Sequence, residues 1–233
     1  EGILPRHFGE MRDLGVFIRY YPMKEVGGDI YDLQEIRPGY LRIFLADAEG
    51  HGVQAALVTM IIKAEYEKVR FRENPAVLLE MLNDSYVSLY EHLDVFFSCI
   101  IIDIDVERSV LTYASAGHPG QAFIHNNQCI RLDHTGKLVG IVKGATYRAI
   151  EHDFKRKDRL VLFTDGLFEE FNDDEEEFGE ERLWDFLEKH RNMEIQSMLR
   201  SLLKTIRSYL GDPEKVSLHD DITLIGIEIK TGK

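Results

Sequence analysis

Helix-like and strand-like stretches of this 233-residue chain occur in separate blocks, and this segregation constrains its fold more than any other feature. Pairs of consecutive helix-like stretches stand between blocks of short strand-like runs. A parallel sheet needs strands that alternate with helices, whereas segregated runs are typical of antiparallel sheets covered by helices. The sequence therefore predicts an α+β layered sandwich, and a parallel βαβ fold is the less favoured alternative.

Four helices are predicted from apolar residues that recur at helical spacing. The first begins directly after Gly52 and contains no Gly or Pro, and the second opens at Asn74-Pro75, a pair that can cap and start a helix. The predicted helices cover residues 53–70, 75–92, 179–190 and 194–210.

Strands are predicted where short runs rich in β-branched and aromatic residues are bounded by Gly, Asn or charged turns. Most of them lie in the middle of the chain, where they form a meander. The predicted strands cover residues 15–22, 40–46, 95–104, 110–116, 121–125, 146–152, 160–163 and 221–229.

Composition narrows the class of protein further. A hydrophobic fraction of 44% suffices for one core, so we expect residues 1–233 to form a single domain. The 41 acidic residues outnumber the 28 basic ones, which argues against nucleic acid as a partner because its phosphates would be repelled. Cys99 and Cys129 fit neither a disulfide scaffold nor a zinc site, and no apolar run approaches the roughly 18 residues of a spanning helix. We therefore expect a cytoplasmic domain without membrane contact.

Four aspartates share one local pattern, in which a carboxylate stands at the end of a predicted strand or loop beside Gly or a second acid, and three of them directly follow or precede an apolar strand. They are Asp29, Asp47, Asp165 and Asp220. Any one of them alone is explained by an ordinary turn, where Asp and Gly are common. Four together favour a shared site for a hard divalent cation, because such cations take oxygen ligands and Gly lets a carboxylate turn inward without strain.

These motifs resemble the metal-dependent PPM-type serine/threonine phosphatases, in the bacterial SpoIIE and RsbU-like branch. The resemblance covers nearly the whole chain, with seven motifs in the same order. The matching stretches are Leu4-Pro5, 22–32 (PMKEVGGDIYD), 45–56 (LADAEGHGVQAA), 114–119 (ASAGHP), 160–169 (LVLFTDGLFE), 178–183 (FGEERL) and 219–224 (HDDITL).

The resemblance implies two stacked antiparallel β-sheets flanked by pairs of helices, the PPM phosphatase-like αββα sandwich. It also implies that two divalent cations, Mn²⁺ or Mg²⁺, activate a water for in-line attack on phosphorus. The expected catalytic and metal-binding residues are Asp29, Asp47, Asp165 and Asp220, and the backbone carbonyl of Ala48 is a further expected ligand. Asp221, beside a ligand, is expected to support the site from outside the ligand set.

Some residues depart from the family pattern or stay unassigned. Glu49 stands where eukaryotic members have a His. His51 is interpreted mainly as part of the entrance to the first helix, and a role as general acid is the less favoured alternative. His118 is interpreted mainly as a structural turn histidine. Neither Arg19 nor Lys24 is assigned as the phosphate-binding arginine or its substitute.

Three further features near these motifs, two of them acidic, are also open to a simpler interpretation. The acidic run 173–177 is predicted to be a solvated loop rather than a cation site. Asp32, like Tyr31 beside it, is left open between a turn residue and an outer partner of the metal site.

Two competing functions fit the sequence less well. Phosphatases that form an aspartyl-phosphate need a second Asp two residues after the nucleophile, and Leu167 occupies that position after Asp165. A non-catalytic docking module with a phosphatase fold is the stronger alternative, but it should have lost metal carboxylates, and all four are present.

The resemblance also predicts partners. We expect a phosphoserine or phosphothreonine protein substrate of the anti-anti-sigma type, and an upstream sensor domain that precedes Leu4-Pro5 in a longer signalling protein. The helices 53–70 and 75–92 are expected to form a two-state element, because the first follows the Asp47 loop directly. Homodimerisation through the upstream segment is expected to bias it.

Overall fold

The computed structural model describes residues 13–23, 27–48, 53–211 and 218–230, in which ten strands and four helices form a layered sandwich. None of these helices is both long and apolar enough to cross a bilayer. The strands are β1 (Leu14–Tyr21), β2 (Asp29–Arg37), β3 (Tyr40–Ala48), β4 (Phe97–Asp105), β5 (Val110–Ala116), β6 (Gln121–His125), β7 (Gln128–Leu132), β8 (Ile150–Asp153), β9 (Arg159–Phe163) and β10 (Ile222–Ile229). The helices are α1 (Val53–Val69), α2 (Pro75–Tyr90), α3 (Glu180–His190) and α4 (Ile195–Tyr209).

The strands form two five-stranded antiparallel sheets. One sheet has the order β1-β10-β9-β6-β7, and the other has the order β2-β3-β4-β5-β8. The helices α1 and α2 contact the second sheet, and α4 contacts the first sheet at β10. The predicted α+β class with two stacked antiparallel sheets and paired helices is therefore confirmed.

Two strands are missing from the sequence-based prediction, and a third begins later than predicted. Five of the nine residues of β2 are polar or charged, so its strand conformation depends on the ladder with β3, which runs from Asp29↔Asp47 to Arg37↔Tyr40. The strand β7 is short and pairs only with β6 at the sheet edge. The predicted strand 146–152 begins at Ile150 in the structure. Local patterns are weak in such segments because their partners lie elsewhere in the chain.

Three apolar layers hold the sandwich together. Phe44 packs toward the helical layer, where its ring stacks on Tyr66 of α1 at a centroid distance of 4.1 Å. The next residue, Leu45, points into the layer between the two sheets. A third layer, which includes Phe163, lies between the first sheet and α3 and α4. Because successive strand residues face opposite sides, the apolar run at the end of β3 is buried on both faces.

The start of α2 follows its sequence signal closely. Asn74 has extended backbone angles, and its side-chain oxygen accepts hydrogen bonds from the backbone N–H groups of Ala76 (2.9 Å) and Val77 (3.3 Å). Pro75 occupies the first helical position, where no N–H partner is needed. The boundary of α2 is therefore set by local chemistry.

Candidate metal centre

Strand ends from both sheets meet at one edge of the sandwich and carry the predicted aspartates there. Asp29 begins β2 and lies opposite Asp47, near the end of β3, in the antiparallel register. Asp165 lies two residues after the end of β9 and starts a short 3₁₀ turn, while Asp220 lies two residues before β10. Phe163 and Leu224 pair across β9 and β10, so these two strand ends also lie side by side. The four carboxylates thus come from four segments that share one edge.

Asp29 is held by two threonines of the opposite sheet. Its Oδ2 accepts hydrogen bonds from Thr164 Oγ1 (2.7 Å) and Thr223 Oγ1 (2.6 Å). The backbone N–H of Thr223 in turn donates to Thr164 Oγ1 at 3.0 Å. Asp29 is only 3% exposed, so these bonds satisfy one oxygen of a buried carboxylate and fix its orientation.

The carboxylates raise one another's proton affinity. Burial is the main cause that raises the pKa of Asp47 well above its usual value, and the charges of Asp29, Asp165 and Asp220 raise it further. Burial likewise raises the pKa of Asp29 and of Asp165. In the described part of the chain, no Lys or Arg forms an ion pair with Asp29, Asp47 or Asp165. The ionised cluster therefore lacks a compensating positive charge from these side chains.

The oxygen atoms gathered where the four aspartates meet are suitable ligands for a hard divalent cation. Carboxylate and carbonyl oxygens are the ligands that Mg²⁺ and Mn²⁺ prefer, and a cation would relieve the repulsion among the aspartates. Within the described ranges, however, no three acidic, His or Cys side chains already converge as a closed coordination group. Asp47 instead lies close enough to Asp29, Asp165 and Asp220 for their charges to raise its pKa. The ligand assignment accordingly stays a prediction.

Asp221 anchors the loop in front of Asp29. Its Oδ1 accepts a hydrogen bond from the backbone N–H of Met23 (2.7 Å), and its Oδ2 accepts one from Gly28 (2.5 Å). A Cβ at Gly27 would lie 2.3 Å from Asp221 Oδ2, so only glycine fits there. This placement matches the expected supporting role of Asp221.

A second buried acid, Glu170, holds the loop that carries Asp220. Its Oε1 accepts a hydrogen bond from the backbone N–H of His219 (2.9 Å), and its Oε2 lies 3.0 Å from His219 Nδ1. Glu170 is 1% exposed. Sequence reasoning missed this residue, because its partner lies 49 positions away.

A cleft of about 450 Å³ opens beside the carboxylate edge. Asp47 and Asp165 line it together with Arg131, which lies on the unpredicted strand β7. The guanidinium of Arg131 is paired with Asp133 (2.7 Å) and Glu180 (2.5 Å). Among the described residues, Arg131 is the arginine that lines the cleft, whereas Arg19 donates to the carbonyl of Ile18 and does not line it.

His118 lies in the wall of this cleft but is almost fully buried. Its Nδ1 is 2.7 Å from Ser98 Oγ, and burial lowers the pKa of its ring to about 3. The imidazole is consequently neutral at pH 7 and cannot act as an imidazolium proton donor there. The structural interpretation of His118 is supported.

The remaining candidates fall in different places. Asp32 lies within β2, and its Oδ2 is 3.4 Å from Lys63 Nζ of α1. It is therefore neither a turn residue nor a partner of the four aspartates. Residues 173–177 are exposed, as predicted for a solvated loop. Lys24, Glu49, His51 and the pair Leu4-Pro5 lie outside the described residues.

Comparison with known proteins agrees with this geometry. Residues 37–230 match the family described as stage II sporulation protein E (SpoIIE). Phosphoserine phosphatase RsbU of Bacillus subtilis (strain 168) is 28% identical over 213 residues, which span 90% of this chain and 61% of RsbU. The chain thus covers about three fifths of the length of this relative.

Solved structures share the fold. The SiaA-PP2C domain of Pseudomonas aeruginosa superimposes with a TM-score of 0.81 at 24% identity, covering 92% of this chain and 86% of that domain. RsbX in complex with magnesium superimposes with a TM-score of 0.68 at 19% identity, covering 95% of this chain and 98% of RsbX. The chain therefore has the fold of a PP2C phosphatase domain, and its match over residues 37–230 shows that it belongs to the SpoIIE family.

Proposed function

We propose that this domain is a metal-dependent protein serine/threonine phosphatase, which hydrolyses phosphoserine or phosphothreonine on a regulatory protein in the cytoplasm. One observation carries the proposal. Asp29, Asp47, Asp165 and Asp220 come from four distant segments to one edge, and three of them have raised pKa values caused first by burial. Such an arrangement costs stability unless a cation compensates it.

In this proposal the four aspartates and the carbonyl of Ala48 hold two divalent cations, Mn²⁺ or Mg²⁺. When bound, such cations supply Lewis acidity that activates water and neutralises charge on the phosphoryl oxygens. The chain's own residues hold the ligands in place. Thr164 and Thr223 orient Asp29, and the backbone N–H of Gly166 donates to Asp165 Oδ1 at 3.0 Å.

RsbU, the relative with 28% identity, carries the name phosphoserine phosphatase, and RsbX has been solved with magnesium. Both names support phosphoserine chemistry and a divalent cation for this chain. A non-catalytic docking module is less well supported, because all four carboxylates are retained and gathered at one edge. The acidic cluster would have no evident use in such a module.

Chelation tests the proposed function directly. We expect hydrolysis of a phosphoserine peptide and of a small aryl phosphate to be lost in excess chelator and to return with Mn²⁺ or Mg²⁺, because water activation depends on the cations. Initial rates measured before chelation, after it and after adding back each metal give the result. Full activity in excess chelator would rule out the two-metal mechanism.

We also propose that α1 and α2 form a two-state element in a longer signalling protein. This element would control the relative positions of the four aspartates. Thr59 Oγ1 of α1 lies 3.1 Å from the carbonyl oxygen of Gly28, and the N–H of Ala48 donates to the same carbonyl at 3.3 Å. A shift of α1 would therefore reach the segments of both Asp29 and Asp47. Displacements of about 1 Å can cost roughly a hundredfold in rate at such sites.

The two helices are coupled through a buried acid. Glu65 of α1 accepts hydrogen bonds from Ser85 Oγ (2.6 Å) and Tyr90 Oη (3.2 Å) of α2. Glu65 is 1% exposed, so moving one helix alone would leave a buried carboxylate without these donors. The pair is accordingly expected to move as one unit.

Fusion proteins test this regulation. A dimeric coiled coil attached ahead of Glu1, in a series of helical registers, should raise turnover in some registers, while all the fusions share the same circular dichroism spectrum. The isolated domain should show weak metal binding and low basal turnover. If the isolated domain already matches the fastest fusion on a phosphoprotein, it is constitutively active and α1 and α2 are not a switch.

A further inference from the structure

A second groove, of about 800 Å³, adjoins the metal cleft. The two share Gly117, His134 and Leu138 in their walls, so the groove continues directly from the place where phosphate would be hydrolysed. Most of its wall comes from residues 134–148, which connect β7 to β8. We call this feature the side groove.

The sign of the charge changes between the cleft and the side groove. The cleft carries Asp47, Asp165, Glu169 and Glu180 in its wall. Among the described residues that line the side groove there is no Asp or Glu, and the charged ones are the exposed cations Lys137 and Arg148. This local excess of positive charge stands out in a chain whose net charge is −13.

Lys137 and Arg148 are also available for a partner. Within the part of the chain that the structure describes, neither forms an ion pair, in contrast to Arg131, which is held by Asp133 and Glu180. Apolar surface lines the same groove. Ile141 is 50% exposed and Val142 is 45% exposed, and both line the side groove with Leu138.

The wall of the side groove is held in shape by its neighbours. Val139 exchanges backbone hydrogen bonds with Phe97 of β4 at 3.0 and 3.1 Å. Asn83 of α2, which is fully buried, accepts from the N–H of Gly140 (3.1 Å) and donates to the carbonyl of Val142 (2.9 Å). A surface organised in this way can bind an extended segment without first having to order itself.

We propose that the side groove binds the segment of the phosphoprotein substrate that flanks the phosphorylated residue, and that this segment carries an acidic side chain and an apolar one. The proposal rests on the proposed function. The acidic side chain would lie against Lys137 and Arg148, and the apolar one against Ile141 and Val142. Because the chain carries a net charge of −13, this positive patch beside the cleft would orient an acidic substrate and fix which of its residues enters the cleft.

The test compares three phosphoserine peptides of equal length, in which the flanking residues are acidic with one Leu, basic with one Leu, or neutral without Leu. With Mn²⁺ present, wild-type protein should have a kcat/KM for the acidic peptide about tenfold above that for the basic one, since each exposed charge pair contributes up to about 1 kcal/mol. High salt should reduce the preference. Hydrolysis of a small aryl phosphate should not depend on the side groove.

Charge reversal supplies the decisive variants. The double substitution Lys137→Glu with Arg148→Glu should abolish or invert the peptide preference and leave the aryl phosphate rate unchanged. The matched control is Lys189→Glu with Lys204→Glu, which makes the same charge change at exposed positions of α3 and α4. The control should keep the wild-type preference. Equal effects of the two double variants, or equal effects on all three peptides, would overturn the proposal.

A binding measurement keeps this test separate from the proposed function. Fluorescence anisotropy of the labelled peptides with metal-free protein should give the same order of affinity and the same response to charge reversal. If wild-type protein with Mn²⁺ hydrolyses neither aryl phosphate nor peptide, the proposed function fails while anisotropy still decides on the side groove. If aryl phosphate is hydrolysed but the peptides bind without preference, the side-groove proposal alone fails.

Discussion

Replacing Asp47 with Asn, or Asp165 with Asn, should lower turnover by at least about two orders of magnitude, because a lost charged ligand weakens both metal binding and water activation. Both residues line the cleft, and the charge of Asp165 helps to raise the pKa of Asp47. Steady-state kinetics on aryl phosphate over a range of Mn²⁺ concentrations measures the effect. The loss should persist at saturating metal, since the substitution also changes the charge at the reacting centre.

The same Asp47→Asn change should make the metal-free domain more stable at pH 7. The folded-state pKa of Asp47 is raised above the ordinary value of 3.8, mainly by burial and then by Asp29, Asp165 and Asp220. A carboxyl with a raised pKa destabilises the fold as the pH rises above its unfolded-state value, because the folded state must then lose a proton that it binds more tightly. The stability gain of the variant should accordingly shrink to nothing below about pH 4. Urea unfolding of both proteins across pH measures the difference.

Asp174→Asn is the control for both measurements, since residues 173–177 form an exposed acidic loop. It should change neither turnover nor stability beyond about 0.5 kcal/mol. A comparable loss of turnover in this variant would mean that the metal centre lies in another part of the chain. A lower stability of metal-free Asp47→Asn at pH 7 would contradict the electrostatic account of the carboxylate edge.

Replacing Arg42 with Met should lower the free energy of unfolding by about 3–5 kcal/mol, the range expected when one member of a buried ion pair is removed. Arg42 of β3 is fully buried, and its Nε and Nη2 donate to the two carboxylate oxygens of Asp103 at 2.6 and 2.5 Å. Its Nη1 also lies 2.6 Å from the carbonyl oxygens of Arg70 and Arg72, in the connection between α1 and α2. The substitution removes the positive partner of the buried Asp103 carboxylate, which keeps only the Tyr40 hydroxyl (2.9 Å) as a donor among the described residues, and it removes the donor of these carbonyls.

A double-mutant cycle and a surface control separate this effect from a general loss of packing. Arg42→Met combined with Asp103→Leu should be less destabilising than the sum of the single changes, because the second change removes the unpaired charge. Arg37 pairs with Asp105 at 3.5 Å and has a side chain that is 45% exposed, so Arg37→Met should cost no more than about 1 kcal/mol. Urea unfolding gives all four values. Equal costs for Arg42→Met and Arg37→Met would show that the buried pair has no special role.

Elements whose signals are local could be predicted from the sequence. The four helices and most strands were predicted to within a few residues, since apolar spacing and caps such as Asn74-Pro75 act over only a few positions. The run 40–46 was predicted as a strand for the same reason, and the structure buries its end on both faces. The family motifs then indicated the sandwich and the four aspartates. These motifs are short, and each can be recognised without knowledge of its spatial neighbours.

Features that depend on distant pairs required the three-dimensional structure. Asp29 is oriented by Thr164 and Thr223, which lie 135 and 194 positions away, and no local pattern encodes such distances. The strands β2 and β7 exist because partner strands satisfy their backbone groups, and β7 in turn brings Arg131 to the cleft. The sign change between the cleft and the side groove is likewise a property of the folded surface. Local chemistry thus determines the elements and the candidate ligands, while long-range hydrogen bonds and packing determine which side chains meet.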